Sequence, residues 1–204
     1  DVASNVKFTY TSNIITDSNS LSFLSGIVKK GAGTFVFGGT GIMNNADSHS
    51  AGGAVNSLLR IDEGTFSVTS TSGTALGDTN VSNESITLNG GNFSWDTDNT
   101  GNQGQLNKGL NLTANGGGLD NNRATTGAGI NRSAWGFGLT VLGGTPTLTV
   151  TSNSTVDSGT AVTTINGQTA LLGSPTFNVV NPAGAASELR INSFADYGGA
   201  QTVT

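Results

Sequence analysis

Val28-Lys29-Lys30-Gly31-Ala32-Gly33-Thr34-Phe35-Val36-Phe37 is the stretch whose reading decides the fold. A turn of Gly and Ala launches a Gly-Thr-apolar-polar-apolar strand. Leu58-Leu59-Arg60-Ile61-Asp62-Glu63-Gly64-Thr65-Phe66-Ser67-Val68 answers it downstream, and Ile86 to Phe93 and Leu110 to Leu119 repeat it more loosely. Recurrence of this kind marks a structural unit that stacks on its neighbours, not an active-site loop.

The composition around these phrases points the same way. The 204 residues include 31 Gly and 3 Pro, and only 10% are charged, against about 25% in an average soluble domain. Stretches of Ala, Leu, Glu, Lys and Arg that would make long helices are missing, while β-branched and aromatic residues recur between Gly and Asn turns. The regular Val, Ile, Leu and Phe supply the apolar surface that a disordered chain lacks. One all-β domain over residues 1–204 is expected, as a segment or subunit of a longer array.

Short strands are predicted at Val6 to Tyr10, Thr34 to Phe37, Leu58 to Ile61, Thr65 to Thr69, Ile86 to Leu88 and Asn92 to Trp95. Others follow at Leu110 to Thr113, Leu139 to Leu142, Thr147 to Thr151, Val162 to Ile165, Phe177 to Val180 and Glu188 to Ile191. Double glycines such as Gly90-Gly91 and the triple Gly116-Gly117-Gly118 punctuate them. Two-residue Asn-Gly hairpins are scarce, and the apolar phrases return at coil-length intervals, so a β-solenoid is favoured over a sandwich. Inward Val, Leu, Ile and Phe then form columns, with Asn, Ser and Thr in hydrogen-bonded ladders at the corners. Ile42 to Asn56, Asp96 to Lys108 and Asp120 to Ala134 break the pattern and are expected to project as loops.

Val28 to Gly39, Ile61 to Val68 and Thr74-Ala75-Leu76-Gly77-Asp78 together resemble the autotransporter-associated β-strand repeat. That family runs Lys-x-Gly-x-Gly-Thr-Leu-x-Leu-x-Gly, then a loop, then a Gly-Thr-Leu strand and often a Leu-Gly pair. The match is clearest over Ile27 to Asp78. The family's Tyr-Thr-Gly loop is replaced here by Ile42 to Val55. The resemblance implies a right-handed parallel β-helix in a bacterial surface or secreted protein, and it transfers no catalytic residue. The start at Asp1 without a Met is consistent with a cleaved leader or a piece of a longer chain, and an extracellular or cell-surface location is expected.

Several chemistries are disfavoured. There is no Cys, hence no disulfide or thiolate. With 8 Lys plus Arg against 13 Asp plus Glu the net charge is −5, unsuited to a nucleic-acid backbone. No run approaches the ~20 apolar residues of a membrane helix, so no membrane insertion by this segment is expected. His49, alone of its kind, lies in Asp47-Ser48-His49-Ser50 and is read as a loop residue, not part of a triad.

Six Asn-x-Ser/Thr triplets, at Asn80, Asn83, Asn92, Asn111, Asn131 and Asn153, are read as chance in so Asn-rich a chain. The remaining candidates are Trp95-Asp96-Thr97-Asp98, whose two acids fall on one face of a continued strand, and Trp135. Asp96 and Asp98 suit calcium or a sugar but read first as a solvated turn, and Trp95 and Trp135 suit either sugar stacking or core burial. Neither a cofactor nor a metal is expected. The function expected is a non-enzymatic stalk, coat or filament segment that associates end to end or with flanking repeats, with the Lys29 phrase as a docking side. An adhesin gripping a surface glycan through loops 42–56 and 96–108 is the second class, and a polysaccharide lyase or hydrolase the third.

Overall fold

The computed structural model describes residues 1–11, 14–16, 27–38, 43–45, 56–69, 84–96, 104–106, 108–121, 131–135, 138–151, 160–180 and 186–204. All regular structure in them is β, every strand pairing is parallel, and the strands stack as the rungs of a β-solenoid. No helix there is long and apolar enough to cross a membrane. One sheet orders Lys7–Tyr10, Thr34–Phe37, Thr65–Val68, Asn92–Trp95, Gly117–Asn121, Thr147–Thr151 and Thr176–Val180 side by side. The second sheet has nine strands, eight of them on one path, and within it Ile27–Lys29, Asn56–Ile61, Glu84–Leu88, Gly109–Leu112 and Leu139–Val141 follow in turn.

The strand Thr160–Leu171 belongs to two lanes of that second sheet. Val162 to Ile165 pair with Asn131–Trp135, and Thr169 to Leu171 pair with Leu139–Val141. Ala186–Asp196 then lies along both parts, with a register shift opposite Ile165/Gln168. The shorter Gly104–Leu106 joins the first lane through Asn131–Trp135.

Register turns the apolar alternation into columns. Phe8, Phe35, Phe66 and Phe93 are successive partners, with ring centroids 5.4, 5.2 and 6.5 Å apart. Leu119 and Val150 continue the line. Phe37, Val68 and Trp95 run parallel to it two residues on, because side chains at i and i+2 share a face. Across the core, Leu59, Ile86, Leu110 and Leu139 make one column, and Ile61, Leu88, Leu112, Val141 and Leu171 another. A fully buried Phe or Leu contributes about 1.5–3 kcal/mol, and stacking like on like lets one rung's residues cover the next.

Lys29 stands at the head of the second of those columns, where Ile61 is its register partner. Its side chain is buried, and Nζ donates to the carbonyls of Lys30, Gly31 and Glu63 at 3.0, 2.5 and 3.0 Å. Three donors meet three acceptors, so the ammonium closes the corner from inside. Burial holds its pKa below the ordinary Lys value, against the pull of the Glu63 charge. The basic side chain therefore serves its own coil, and the large apolar side chains exposed at that end include Val6, Phe8 and Val28.

Corners between the second and first sheets are built from Gly and side-chain ladders. Arg60 donates to both oxygens of Asp62 at 2.7 and 2.9 Å, and Asn89 Nδ2 reaches Asp62 Oδ1 at 2.7 Å. Asn89 Oδ1 in turn accepts from Thr113 at 2.7 Å and from Asn115 at 3.0 Å, so the chain of bonds crosses three coils. The hydrogen bond from Arg60, then that from Asn89, draws the Asp62 pKa below its ordinary value against the opposing cost of desolvation.

A depressed folded pKa adds stability that is present above the unfolded value and lost as pH falls through the folded one. Asp62→Asn is accordingly expected to cost about 1 kcal/mol at pH 7 and to flatten the wild-type stability loss below about pH 4. Urea melts at stepped pH check both; parallel acid profiles for the two proteins would contradict the assignment.

The structure moves several boundaries. Met43–Asn45, Gly104–Leu106 and Asn131–Trp135 are strands inside the segments expected to loop out, each paired to a neighbouring coil. Gly117 and Gly118 belong to the strand Gly117–Asn121, not to a turn. The reason is close approach: a Cβ on Gly117 would lie 2.7 Å from both Gly91 O and Leu88 Cβ, so the rung needs Gly to seat at ladder distance. Ile27–Lys29 and Ile14–Thr16 are further strands, too short and irregular to have been legible.

Candidate functional site

The outer face of the first sheet is polar by construction. In Thr65-Phe66-Ser67, Asn92-Phe93-Ser94, Gly118-Leu119-Asp120 and Thr149-Val150-Thr151 the middle residue points to the core, so the first and third fall on the opposite face, where Asn92 is exposed, Thr65, Asp120, Thr149 and Thr151 are half-buried, and Ser67, Ser94 and Gly118 are buried. Parallel register stacks them into two rows: Thr65, Asn92, Gly118, Thr149 and Ser67, Ser94, Asp120, Thr151. Rungs about 4.8 Å apart bring these side chains within bonding reach. Thr151 Oγ1 donates to Asp120 Oδ1 at 3.0 Å. Ser94 Oγ donates to Asp96 Oδ1 at 2.8 Å, and Ser67 Oγ donates to Asp96 Oδ2.

Gly118 interrupts the first row. Where its neighbours carry an amide and a hydroxyl it carries nothing, and a notch of about 180 Å³ opens there, walled by Thr65, Asn92, Asp120, Thr149 and Thr151. The notch is lined by one carboxylate, one amide and three hydroxyls. Among the described residues no three His, Cys, Asp or Glu side chains converge.

Of the residues expected to bind, Trp95 and Asp96 are described with their side chains. Trp95 is 3% exposed and its ring packs 6.2 Å from that of Phe93, so it takes the core role, not the sugar-stacking one. Its Nε1 and both amide atoms of buried Asn121, its register partner, have no hydrogen-bond partner among the described residues. Asp96 sits at the strand's end, committed to Ser67 and Ser94. Asp98 and His49 lie outside the described residues, as do most of loops 42–56 and 96–108; Trp135 is placed only as the last residue of its strand.

Of the sequons, Asn111 is buried and donates to Ser85 Oγ at 2.8 Å, which excludes it as an acceptor in the folded chain. Asn92 is exposed on the notch wall, while Asn80, Asn83 and Asn153 lie outside the described residues.

The notch was missed in sequence because Gly116-Gly117-Gly118 reads as a turn. Aligning the four phrases by their central Phe, Phe, Leu and Val would have displayed Gly118 as the one position without a polar side chain. Comparison of the chain with protein-family models, with curated proteins and with solved structures finds no match.

Proposed function

We propose that this chain is a non-enzymatic structural β-solenoid, a rigid segment of a stalk, coat or filament in an extracellular or surface-exposed bacterial protein of the autotransporter-repeat kind. The observation that carries the reading is the pair of parallel ladders over an apolar column running from Phe37 to Leu171. Such a body is held by neighbour-on-neighbour contacts alone, and each added rung repeats the contacts of the last. Rigidity follows from the stacking, with neither disulfide nor cofactor invoked.

Exposed apolar residues support extension at both ends. Of ten large apolar side chains exposed among the described residues, Val6, Phe8 and Val28 belong to the first rungs and Val179, Val180, Phe194, Tyr197 and Val203 to the last. Unpaired edges of this sort recruit another strand, from flanking repeats of the same chain or from a second copy.

The test is electron microscopy with sedimentation over a concentration series. Rods that lengthen with concentration, and that shorten in Phe8→Glu and Val179→Glu, are the expected result. Compact monomers at every concentration, together with reducing-sugar release from acidic polysaccharides, would replace this reading by an enzymatic one.

A further inference from the structure

We propose that the notch at Gly118 is a binding site for a single neutral sugar ring of a surface glycan, a function additional to the structural one. Its size sets the scale. At ~30 Å³ per water it holds about six waters, the bulk of one pyranose, and it falls short of the ~300 Å³ at which drug-sized pockets begin. Its walls set the chemistry. Asp120 accepts hydrogen bonds, the Asn92 amide both donates and accepts, the hydroxyls of Thr65 and Thr149 do either, and that of Thr151, which donates to Asp120, accepts. That mixture matches a ring whose hydroxyls are themselves donors and acceptors.

Other occupants fit less well. A phosphate or uronate would meet the Asp120 carboxylate with no cation among the described lining residues. A hard cation needs several converging charged oxygens, and among the described residues of the lining Asp120 is the one carboxylate. An apolar group would strip water from five polar side chains without replacing their hydrogen bonds. The neutral polyol leaves no such debt. Successive rungs also hold the polar groups about 4.8 Å apart, so a ring lying across Gly118 touches the rungs of Asn92 and Thr149 together.

The site is positioned by the fold itself. Leu119 anchors the middle of the strand in the core, between Phe93 and Val150, which fixes Gly118 and Asp120 outward on either side of it. Thr151 holds the carboxylate from the next rung. The absent side chain at Gly118 lets the Asn92 amide lie over the strand as one wall of the notch: a Cβ there would stand 2.4 Å from Asn92 Oδ1.

That contact is with the end of a rotatable side chain, and Gly118 is not among the glycines of positive φ. Gly118→Thr is therefore expected to fold, to complete the row of polar side chains and to fill the notch. The experiment is a ¹H–¹⁵N titration of the chain with the methyl glycosides of glucose, galactose and mannose, with calcium chloride and inorganic phosphate as separate arms. Expected are shifts confined to Asn92, Gly118, Asp120, Thr149 and Thr151 with at least one glycoside. Affinity should fall at least about tenfold, ~1.4 kcal/mol, in both Gly118→Thr and Asp120→Asn, whose spectra otherwise match the parent. No shift at those amides with any glycoside overturns the proposal; so does glycoside binding that survives Gly118→Thr, or a response there to calcium or phosphate alone.

Discussion

Phe66→Ala is expected to lower the unfolding free energy by about 3–5 kcal/mol, the usual loss for a fully buried aromatic. Phe66 is 0% exposed and has ring neighbours on both sides, Phe35 at 5.2 Å and Phe93 at 6.5 Å, with Phe37 at 6.5 Å beside it. Truncation removes one ring from a stack in which each face covers another, so the loss includes ring–ring terms of about 0.5–1.5 kcal/mol each beyond area. Flanking rungs are held at ladder spacing by backbone bonds such as Thr65 N to Gly33 O at 3.1 Å, which prevents them from closing the gap.

The position adds a second consequence. In a stacked array, stability is a sum of rung and nearest-neighbour terms, and Thr65–Val68 couples the rungs before it to those after. Phe66→Ala is thus expected to split unfolding, with hydrogen-exchange protection at Tyr10 and Phe37 lost before that at Leu119 and Val150. Phe66→Leu, which keeps most of the volume, is expected to cost under about 1.5 kcal/mol and to preserve a single transition. Chemical denaturation and exchange measured on all three proteins check this; an Ala variant within about 1 kcal/mol of the parent would mean the Phe column is not what joins the rungs.

The columns were legible because alternation is local. Phe35, Phe66 and Phe93 each stand one residue past the start of a β-rich phrase, and a period of two assigns their face without knowledge of partners. That Asn, Ser and Thr would ladder at the corners was legible from their abundance, but not that Asp62, Asn89 and Asn115 would be joined. What was not legible is whatever depends on two coils at once. Lys29 reads as a surface base, and only its register with Ile61 brings it inside, where three carbonyls of two different corners await it. Gly118 reads as turn punctuation, and its meaning appears only when Asn92 and Thr149 are set on either side of it. Trp95 and Asn121 show the limit most clearly, since nothing in their neighbours in sequence announces that an indole and an amide share one inward column.

Gly64→Ala is expected to cost about 2–4 kcal/mol, from a positive-φ strain of about 1–2 kcal/mol and a backbone clash of similar size. Gly64 has φ 60°, and a Cβ there would lie 2.4 Å from Gly33 O, 2.5 Å from Gly31 O and 2.8 Å from Ala32 C. All three atoms are backbone of the preceding corner, so relief requires two coils to separate, and separation strains the 2.8 Å bond from Asn92 N to Gly64 O that carries the next one.

Gly143 isolates the two contributions. It has φ 139° with nothing nearer its Cβ position than Leu172 O at 4.0 Å, so Gly143→Ala should show the conformational strain alone, about 1–2 kcal/mol. Gly118→Thr, at ordinary φ and meeting only the rotatable Asn92 side chain at 2.4 Å, should cost less than Gly64→Ala. Thermal and urea unfolding of the three variants side by side give the ordering directly. If Gly64→Ala proved no worse than Gly143→Ala, corner-on-corner packing of glycine backbones would not be what sets the pitch of this solenoid, and the Gly-x-Gly-Thr phrase would owe its recurrence to turn conformation only.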